Sequence, residues 1–454
     1  MKRLFRAIDA YDDLVRQRED EAPQLLADIL RRSDELGVTY GGQPVPTALR
    51  PNILTSAQMQ IVRRSVLLLA NCIERLARLY GQVAEVQRLV QFRPRERHLI
   101  LRPRANARQV VIARLDAFLD GNSLRYNEFN TDSPAGAGYT GMQRVIFDET
   151  ALMKQFVKLY PLEGEAPQEA LVDALLGAFA ESGIQEEPRV LISDWDDVGT
   201  LGEFGIIVRL LAKRGVRAVI ADPRTVDFDG QYLRAGDFKA NLVYRRVILR
   251  ELAEKWDECK ELIEAESSPT VCFANPFRSK VAGSKACLAV LTDPRFARFF
   301  TEEELAAVRA HVPWTRVVTE QEVSFRGQQM PAFDLGARFK NELVLKPTNE
   351  YAGRGVHIGA ELDQGTWEKA LGDAEPYAWV LQERIMAPER DFPLVTDKLE
   401  FLSRKVNLNP FALGGKYGGS LTRISEASII NVSRGGGMVP TYVLSSEDRS
   451  QQGE

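Results

Sequence analysis

Cysteine, histidine and long apolar runs are what this chain has least of. Four cysteines occur in 454 residues (Cys72, Cys259, Cys272 and Cys287), with neither CxxC pairing nor zinc-ligand spacing. They read as small buried apolar groups in a reducing compartment. The three histidines, His98, His311 and His357, fall in no recognisable motif. A Ser-His-Asp or Cys-His nucleophile needs a histidine beside it, and a zinc centre usually takes two or three. Any chemistry is therefore expected of carboxylates, amides, lysines and arginines. No stretch approaches the roughly 18 apolar residues of a membrane span; the best candidate, residues 66–70, is hemmed in by Arg63, Arg64 and Glu74. The start, Met1-Lys2-Arg3-Leu4-Phe5-Arg6, runs into Asp9, Asp12 and Asp13 rather than an apolar core, so no signal peptide is expected. Charge of one sign is also missing: Lys+Arg 59 nearly balances Asp+Glu 63, for a net −4. Nothing global draws the chain to polyanions or anionic lipid. The expectation is a cytoplasmic protein that binds neither nucleic acid nor membrane.

The length exceeds one ordinary core, so two or three domains are expected. Residues 1–105 carry helical periodicity. Thr55 or Ser56 can cap a helix with apolar positions Ile61, Val66, Leu69, Ile73, Leu76 and Leu79, stopped at Gly81. Residues 110–131 change to a hairpin pattern around Asp120-Gly121-Asn122-Ser123. Between 165 and 275 come a strand at 190–194, an apolar helix at 204–211 and a strand at 216–221; a charged helix over 248–264 lies between strands at 242–244 and 271–273. That alternation predicts right-handed βαβ units and a parallel, Rossmann-like sheet, with ligands gathering near Ser193, Asp194 and Arg245. From 276 onward the pattern gives helices at 285–291 and 301–310, strands at 342–346 and 378–384, and a glycine-rich region from 413 to 440. A polar tail over 441–454 closes the chain. The expected fold class is α/β (α+β).

The strongest chemical signal is Arg114-x-Asp116 followed by Glu128-x-Asn130 across the hairpin. Residues two apart in a strand share a face. If Asp120 pairs with Leu124 around a three-residue loop, Asp116 lies opposite Glu128 and Arg114 opposite Asn130, all on one side. Two carboxylates and an amide oxygen are hard donors suited to Mg²⁺, and the arginine can fork onto a phosphate. A solvated polar strand face with cross-strand ion pairs accounts for the same spacing. Downstream, Leu343-Val344-Leu345-Lys346-Pro347 delivers a lysine ahead of Gly353-Arg354-Gly355, a turn suited to lie over phosphates. Trp379-Val380-Leu381-Gln382-Glu383 ends a strand in polar groups that could read a base edge. Glycines at 418–419 and 435–437 crowd around Arg423, Asn431 and Ser433 and suggest close backbone approach to a ligand.

These pieces, in this order over about 110–440, resemble the circularly permuted ATP-grasp family, whose familiar members are glutathionylspermidine synthetases, and especially a bacterial branch of it. In that family Arg-x-Asp, eleven residues and Glu-x-Asn supply metal and phosphate ligands, a spacing that Arg114, Asp116, Glu128 and Asn130 match. The resemblance implies Mg²⁺ on Asp116, Glu128 and Asn130, with Arg114 and Arg423 as catalytic cations. It places ATP against Lys285, Lys346, the Gly353-Arg354-Gly355 lid, Gln382 and Glu383. Residues 106–160 become a metal-binding hairpin and loop, 165–275 a substrate domain ahead of the ATP-grasp, and 276–440 the nucleotide-binding region. Ser133 matches the thiol-peptide site of the family, whereas Pro134-Ala135-Gly136 departs from it, and no amidase segment is recognised. Arg245 or Arg246 is placed to hold a substrate carboxylate. The implied reaction joins a small-molecule carboxylate to an amine through an acyl phosphate, with a homodimer left open. An idle nucleotide-binding regulator and a phosphotransferase releasing a phosphorylated product would carry the same residues.

Overall fold

The computed structural model describes residues 1–102, 108–351, 353–430 and 436–445. It is a mixed α/β structure, with a helical N-terminal region and three main sheets of four to six strands among its described residues.

The helical region is organised by α1, Ser56–Tyr80. Thr55 Oγ1 accepts from the Gln58 N–H at 3.1 Å while Gln58 Oε1 accepts from the Thr55 N–H at 3.0 Å. This reciprocal cap satisfies two of the donors a helix start leaves open. Val62, Val66, Leu69, Ile73 and Leu76 then form a buried stripe at helical spacing. The stripe covers one face of a hairpin, β1 (Ile112–Asp120) and β2 (Ser123–Asn130). Ser65 and the Tyr126 hydroxyl share a buried hydrogen bond of 2.7 Å at that contact.

The expected parallel sheet is present. β3 (Arg189–Ser193), α2 (Leu201–Lys213) and β4 (Arg217–Ala221) make a βαβ unit, and β5 (Leu242–Arg245) and β6 (Cys272–Ala274) complete the order β6-β5-β3-β4, all parallel. Between β4 and β5 the chain adds a three-stranded meander over 226–240 that the sequence pattern did not predict; its strands are three residues each, too short to show a period. The single charged helix expected over 248–264 is two short ones, Leu249–Glu254 and Lys260–Ala265.

A second sheet, antiparallel, has the order β7 (Thr315–Val317), β10 (Trp379–Glu383), β8 (Leu343–Pro347), β9 (His357–Ile358). Its apolar face packs on Leu335, Trp367 and Leu371. The third sheet joins distant parts of the chain: β11 (Leu399–Leu413) pairs with β1, placing Phe411 opposite Arg114, and with β12 (Lys416–Ser425) on its other side.

Two expectations need correction. The glycine-rich region over 413–440 is largely ladder, β12 followed by Gly437–Val439. A Cβ on Gly418 would meet Leu413 Cδ1 at 2.4 Å and one on Gly419 would meet Pro167 Cβ at 2.9 Å. Those two glycines allow close approach of protein, not of ligand. Residues 441–454 are not all tail: Thr441–Leu444 is a buried strand, parallel to Asn52–Thr55 and antiparallel to Leu162–Gly164. Among the described residues no helix is long and apolar enough to cross a membrane.

Candidate active site

The hairpin brings Arg114 opposite Asn130 and Asp116 opposite Glu128, as the sequence reading requires, but by another route. The turn is Gly121-Asn122, with Gly121 at φ 57° and Asp120 paired to Ser123, not to Leu124. The register then shifts by one residue between Asp116 and Ala117, so Ala117 faces Tyr126 while Asp116 faces Glu128. Asn127 is the extra residue of a β-bulge. The shorter turn and the bulge offset each other. Leu124, Tyr126 and Phe129 therefore all reach the core, while Asn127, Glu128 and Asn130 all line the cleft. The bulge also presents the Asn127 carbonyl to Lys346 Nζ at 3.4 Å.

Asp116, only 4 % exposed, accepts from Arg114 Nε at 2.8 Å and Nη2 at 3.2 Å, and from Arg423 Nη1 at 3.5 Å. Arg114 Nη1 also donates to the Ala135 carbonyl at 2.9 Å. Glu128 lies 3.4 Å from Lys285 Nζ, and its Oε1 faces Asn130 Nδ2 at 3.5 Å. Lys346 Nζ donates to Gln382 Oε1 at 2.6 Å, and Gln382 Nε2 donates to Thr315 Oγ1 at 3.1 Å. Four cations (Arg114, Lys285, Lys346, Arg423) thus face two carboxylates, a surplus of two positive charges.

The titration of these groups reflects that surplus. Burial raises the Glu128 carboxyl, but Lys285, Lys346 and Arg114 outweigh it and hold the group at about 2. Burial pushes the Lys346 ammonium down to about 8, opposed by Glu128 and reinforced by Lys285. Burial and the neighbouring Arg114 push Arg423 down to about 10 against the pull of Asp116 and Glu128. An entering polyanion relieves this repulsion. Asp116, Glu128 and Asn130 together offer oxygen donors only, the set a hard divalent cation takes. Among the described residues no cluster of three or more His, Cys, Asp or Glu side chains exists, so this set of two acids and an amide is the candidate centre.

The cleft holds about 580 Å³ between the hairpin sheet and the β7–β10 sheet. Gln382 and Glu383, at the end of β10, line it together with 384–387, with Val344, Val356 and Ile358 as apolar wall. Glu383 pairs with Arg125 at 3.0 Å, and Met386 at the mouth is 67 % exposed. The loop after β8 is tied down at several points. Lys285 donates from its backbone N–H to the Thr348 carbonyl at 2.8 Å and from Nζ to the Glu350 carbonyl at 2.7 Å. Arg250 donates to Glu350 Oε1 at 2.6 Å and to the Asn349 carbonyl at 3.1 Å. Gly353 and Gly355 have φ of 69° and 68°, which side-chain-bearing residues rarely adopt, and a Cβ on Gly353 would lie 2.3 Å from Ile429.

Other expected site residues fall differently. Gly353 lines the cleft, but Arg354 is exposed, its guanidinium 5.4 Å from the Tyr351 ring, and neither it nor Gly355 lines the cavity. Ser133 lines the cleft and its hydroxyl donates to the Arg246 carbonyl. Arg245 and Arg246 do not reach the cleft to hold a substrate. Arg245 is buried and spent on Val247 and Asn275 carbonyls and on Asp132 at 2.8 Å. Arg246 donates to the Pro134 carbonyl at 2.7 Å and packs on Phe204 and Tyr244. Both latch the 132–135 loop to the end of β5. Asn431 and Ser433 lie outside the described residues. Three participants were missed: Lys280, Arg250 and Asn127. A lone basic residue carries no sequence signal, but the odd step from Tyr126 to Phe129 in an otherwise alternating strand did mark the bulge.

No described protein family and no curated protein matches the sequence. Solved structures do. A glutathione synthetase-like effector from Globodera pallida, in its apo form, superposes with a TM-score of 0.64 at 13 % identity over 94 % of this chain and 98 % of its own. A Methylobacillus flagellatus protein provisionally named a gamma-glutamylcysteine synthetase gives a TM-score of 0.43 at 12 % identity, covering 87 % of this chain and 90 % of its own. At such identity the first likeness shows a shared fold.

Proposed function

We propose that the protein is an ATP- and Mg²⁺-dependent carboxylate–amine ligase with a circularly permuted ATP-grasp architecture, similar to glutathionylspermidine synthetases in its nucleotide half. The observation that supports this most is the convergence of Arg114, Asp116, Glu128, Asn130, Lys285, Lys346 and Arg423 on one cleft from segments up to 309 residues apart in sequence. In this reading the N-terminal hairpin completes a sheet whose other strands come from the C-terminal part of the chain, which is the permutation. The adenine lies along 382–387, and Lys346 and Lys285 meet its phosphates. Asp116, Glu128 and Asn130 would hold Mg²⁺, which when bound neutralises charge on the phosphoryl oxygens.

A substrate carboxylate oxygen attacks the γ-phosphorus, ADP leaves, and the acyl phosphate is attacked at its carbonyl carbon by an amine, which loses a proton as phosphate departs. The chain's own groups contribute positioning and charge rather than a covalent intermediate. Arg114 and Arg423, which share Asp116 here, exchange part of that contact for phosphoryl oxygens. The loop at 348–356, pinned by Lys285 and Arg250, keeps water from the acyl phosphate. ADP release measured with Mg·ATP, a carboxylate pool and an amine pool tests the reading. Release that requires both pools supports it; release with carboxylate alone, unchanged by every amine, overturns the amide-forming step.

A further inference from the structure

Beyond the triphosphate end, the cleft continues along 131–135 to Lys280, on the short 3₁₀ helix Phe277–Gly283. Lys280 is 7 % exposed and lines the cleft. Its ammonium lies 3.4 Å from Asp132 Oδ2, but Arg245 already holds Asp132 at 2.8 Å. Two cations share one carboxylate, so this end of the cleft keeps a positive charge for a ligand. All seven carboxylates that line the cleft among the described residues already sit within ion-pair distance of a lysine or arginine. A polycationic amine would find no free anion at this end and would meet the Lys280 ammonium. From Asp132, beside Lys280, to Ala135, whose carbonyl takes Arg114, is three residues, at most about 10 Å of chain.

We propose that Lys280 is the specificity-determining residue of the substrate end: it holds the carboxylate of an amino-acid acceptor whose amino group is the nucleophile, and the cleft does not accept a polyamine. This rests on the ligase reading. A carboxylate on Lys280, with the 132–135 loop beneath it, directs the amino group toward the phosphorylated carboxyl near Arg114. Ile248 and Pro134 furnish a small apolar wall beside it, which suits a short side chain.

The experiment is ADP release by the full chain with Mg·ATP, a pool of the standard amino acids, and the same pool supplemented with spermidine and putrescine, in wild type, Lys280→Met and Lys280→Arg. Calorimetric binding of Mg²⁺ with a non-hydrolysable ATP analogue serves as the control for folding and for the parent reading. Expected are release with amino acids alone and a rise of about tenfold in the amino-acid KM for Lys280→Met, the size of one lost charge-assisted hydrogen bond. The ATP KM and analogue affinity should be unchanged, with partial recovery in Lys280→Arg. Release that appears only when polyamines are added overturns the proposal and leaves the ligase reading standing. Release in Lys280→Met with an unaltered amino-acid KM, or no release from either pool by protein that binds the analogue, also overturns it. Failure to bind the analogue removes the parent reading itself.

Discussion

Asp116 carries two guanidinium groups on one buried carboxylate, a contact that loses its purpose if either partner is neutralised. Replacing a buried charge leaves its partner unpaired, so the isosteric Asp116→Asn and Glu128→Gln are the informative changes. Each should weaken Mg²⁺-dependent binding of an ATP analogue by at least about tenfold, read by calorimetry with and without Mg²⁺. Metal-dependent affinity retained by both variants would remove these residues from the metal set. Lys346 is tethered to Gln382 and to the Asn127 carbonyl. On the proposed reading, in which this lysine meets phosphate directly, Lys346→Met should lower nucleotide affinity whether or not the metal is present. An affinity loss confined to the metal-bound state would reassign it.

At the scale of the element, the hairpin is the clearest case of what the pattern did and did not show. Arg114, Asp116, Glu128 and Asn130 were readable as one face, because residue types and a period of two are local properties. The turn was misread by one residue, and only the bulge at Asn127 restored the register. Deleting Asn127 keeps the alternation of Tyr126 and Phe129 inward, so the hairpin should still form. Its melting temperature is expected to stay within a few degrees, while the ATP KM rises as Lys346 loses a carbonyl partner. A collapse of the fold would show that the bulge is needed for pairing and not only for aiming. The loop at 348–356 belongs to the same scale. Arg250→Ala removes the contacts to Glu350 and Asn349, so the ATP KM should rise several-fold with kcat little changed, as measured by initial-rate kinetics.

Across the whole molecule, Glu165 fastens β12 to the segment that leads into the helix Pro167–Glu181. It accepts from the Tyr417 hydroxyl and from the Ser420 N–H at 3.0 Å. Burial raises its carboxyl from 4.5 to about 7, with Tyr417, Arg63 and Ser420 opposing the shift. A group raised in the folded state favours folding while protonated. Its contribution is full below about pH 4 and is lost as pH rises toward 7, on the order of 3 kcal/mol across the window. Glu165→Gln cannot ionise; its one amide oxygen can accept from the Ser420 N–H while its amide nitrogen donates to the Tyr417 hydroxyl oxygen. Thermal melts should therefore show the variant more stable than wild type near about pH 8, with the gap closing toward about pH 5. A constant gap would assign the carboxyl an ordinary titration.

The chain by itself determined the helix over 56–80 with its cap at Thr55, the βαβ order over 189–221, and the hairpin face that carries Arg114, Asp116, Glu128 and Asn130. All of these follow from residue chemistry and short-range periodicity. Only the tertiary structure decided which of the cations share one cleft. Arg245 and Arg246 look as available in sequence as Lys280, yet they are turned inward to carbonyls and Asp132 while Lys280 lines the cavity. It likewise turned the closing glycines into ladder against Leu413 and Pro167, and made residues 441–444 a strand against Asn52–Thr55. Contacts between segments hundreds of residues apart depend on how whole surfaces fit, and no local pattern encodes that fit.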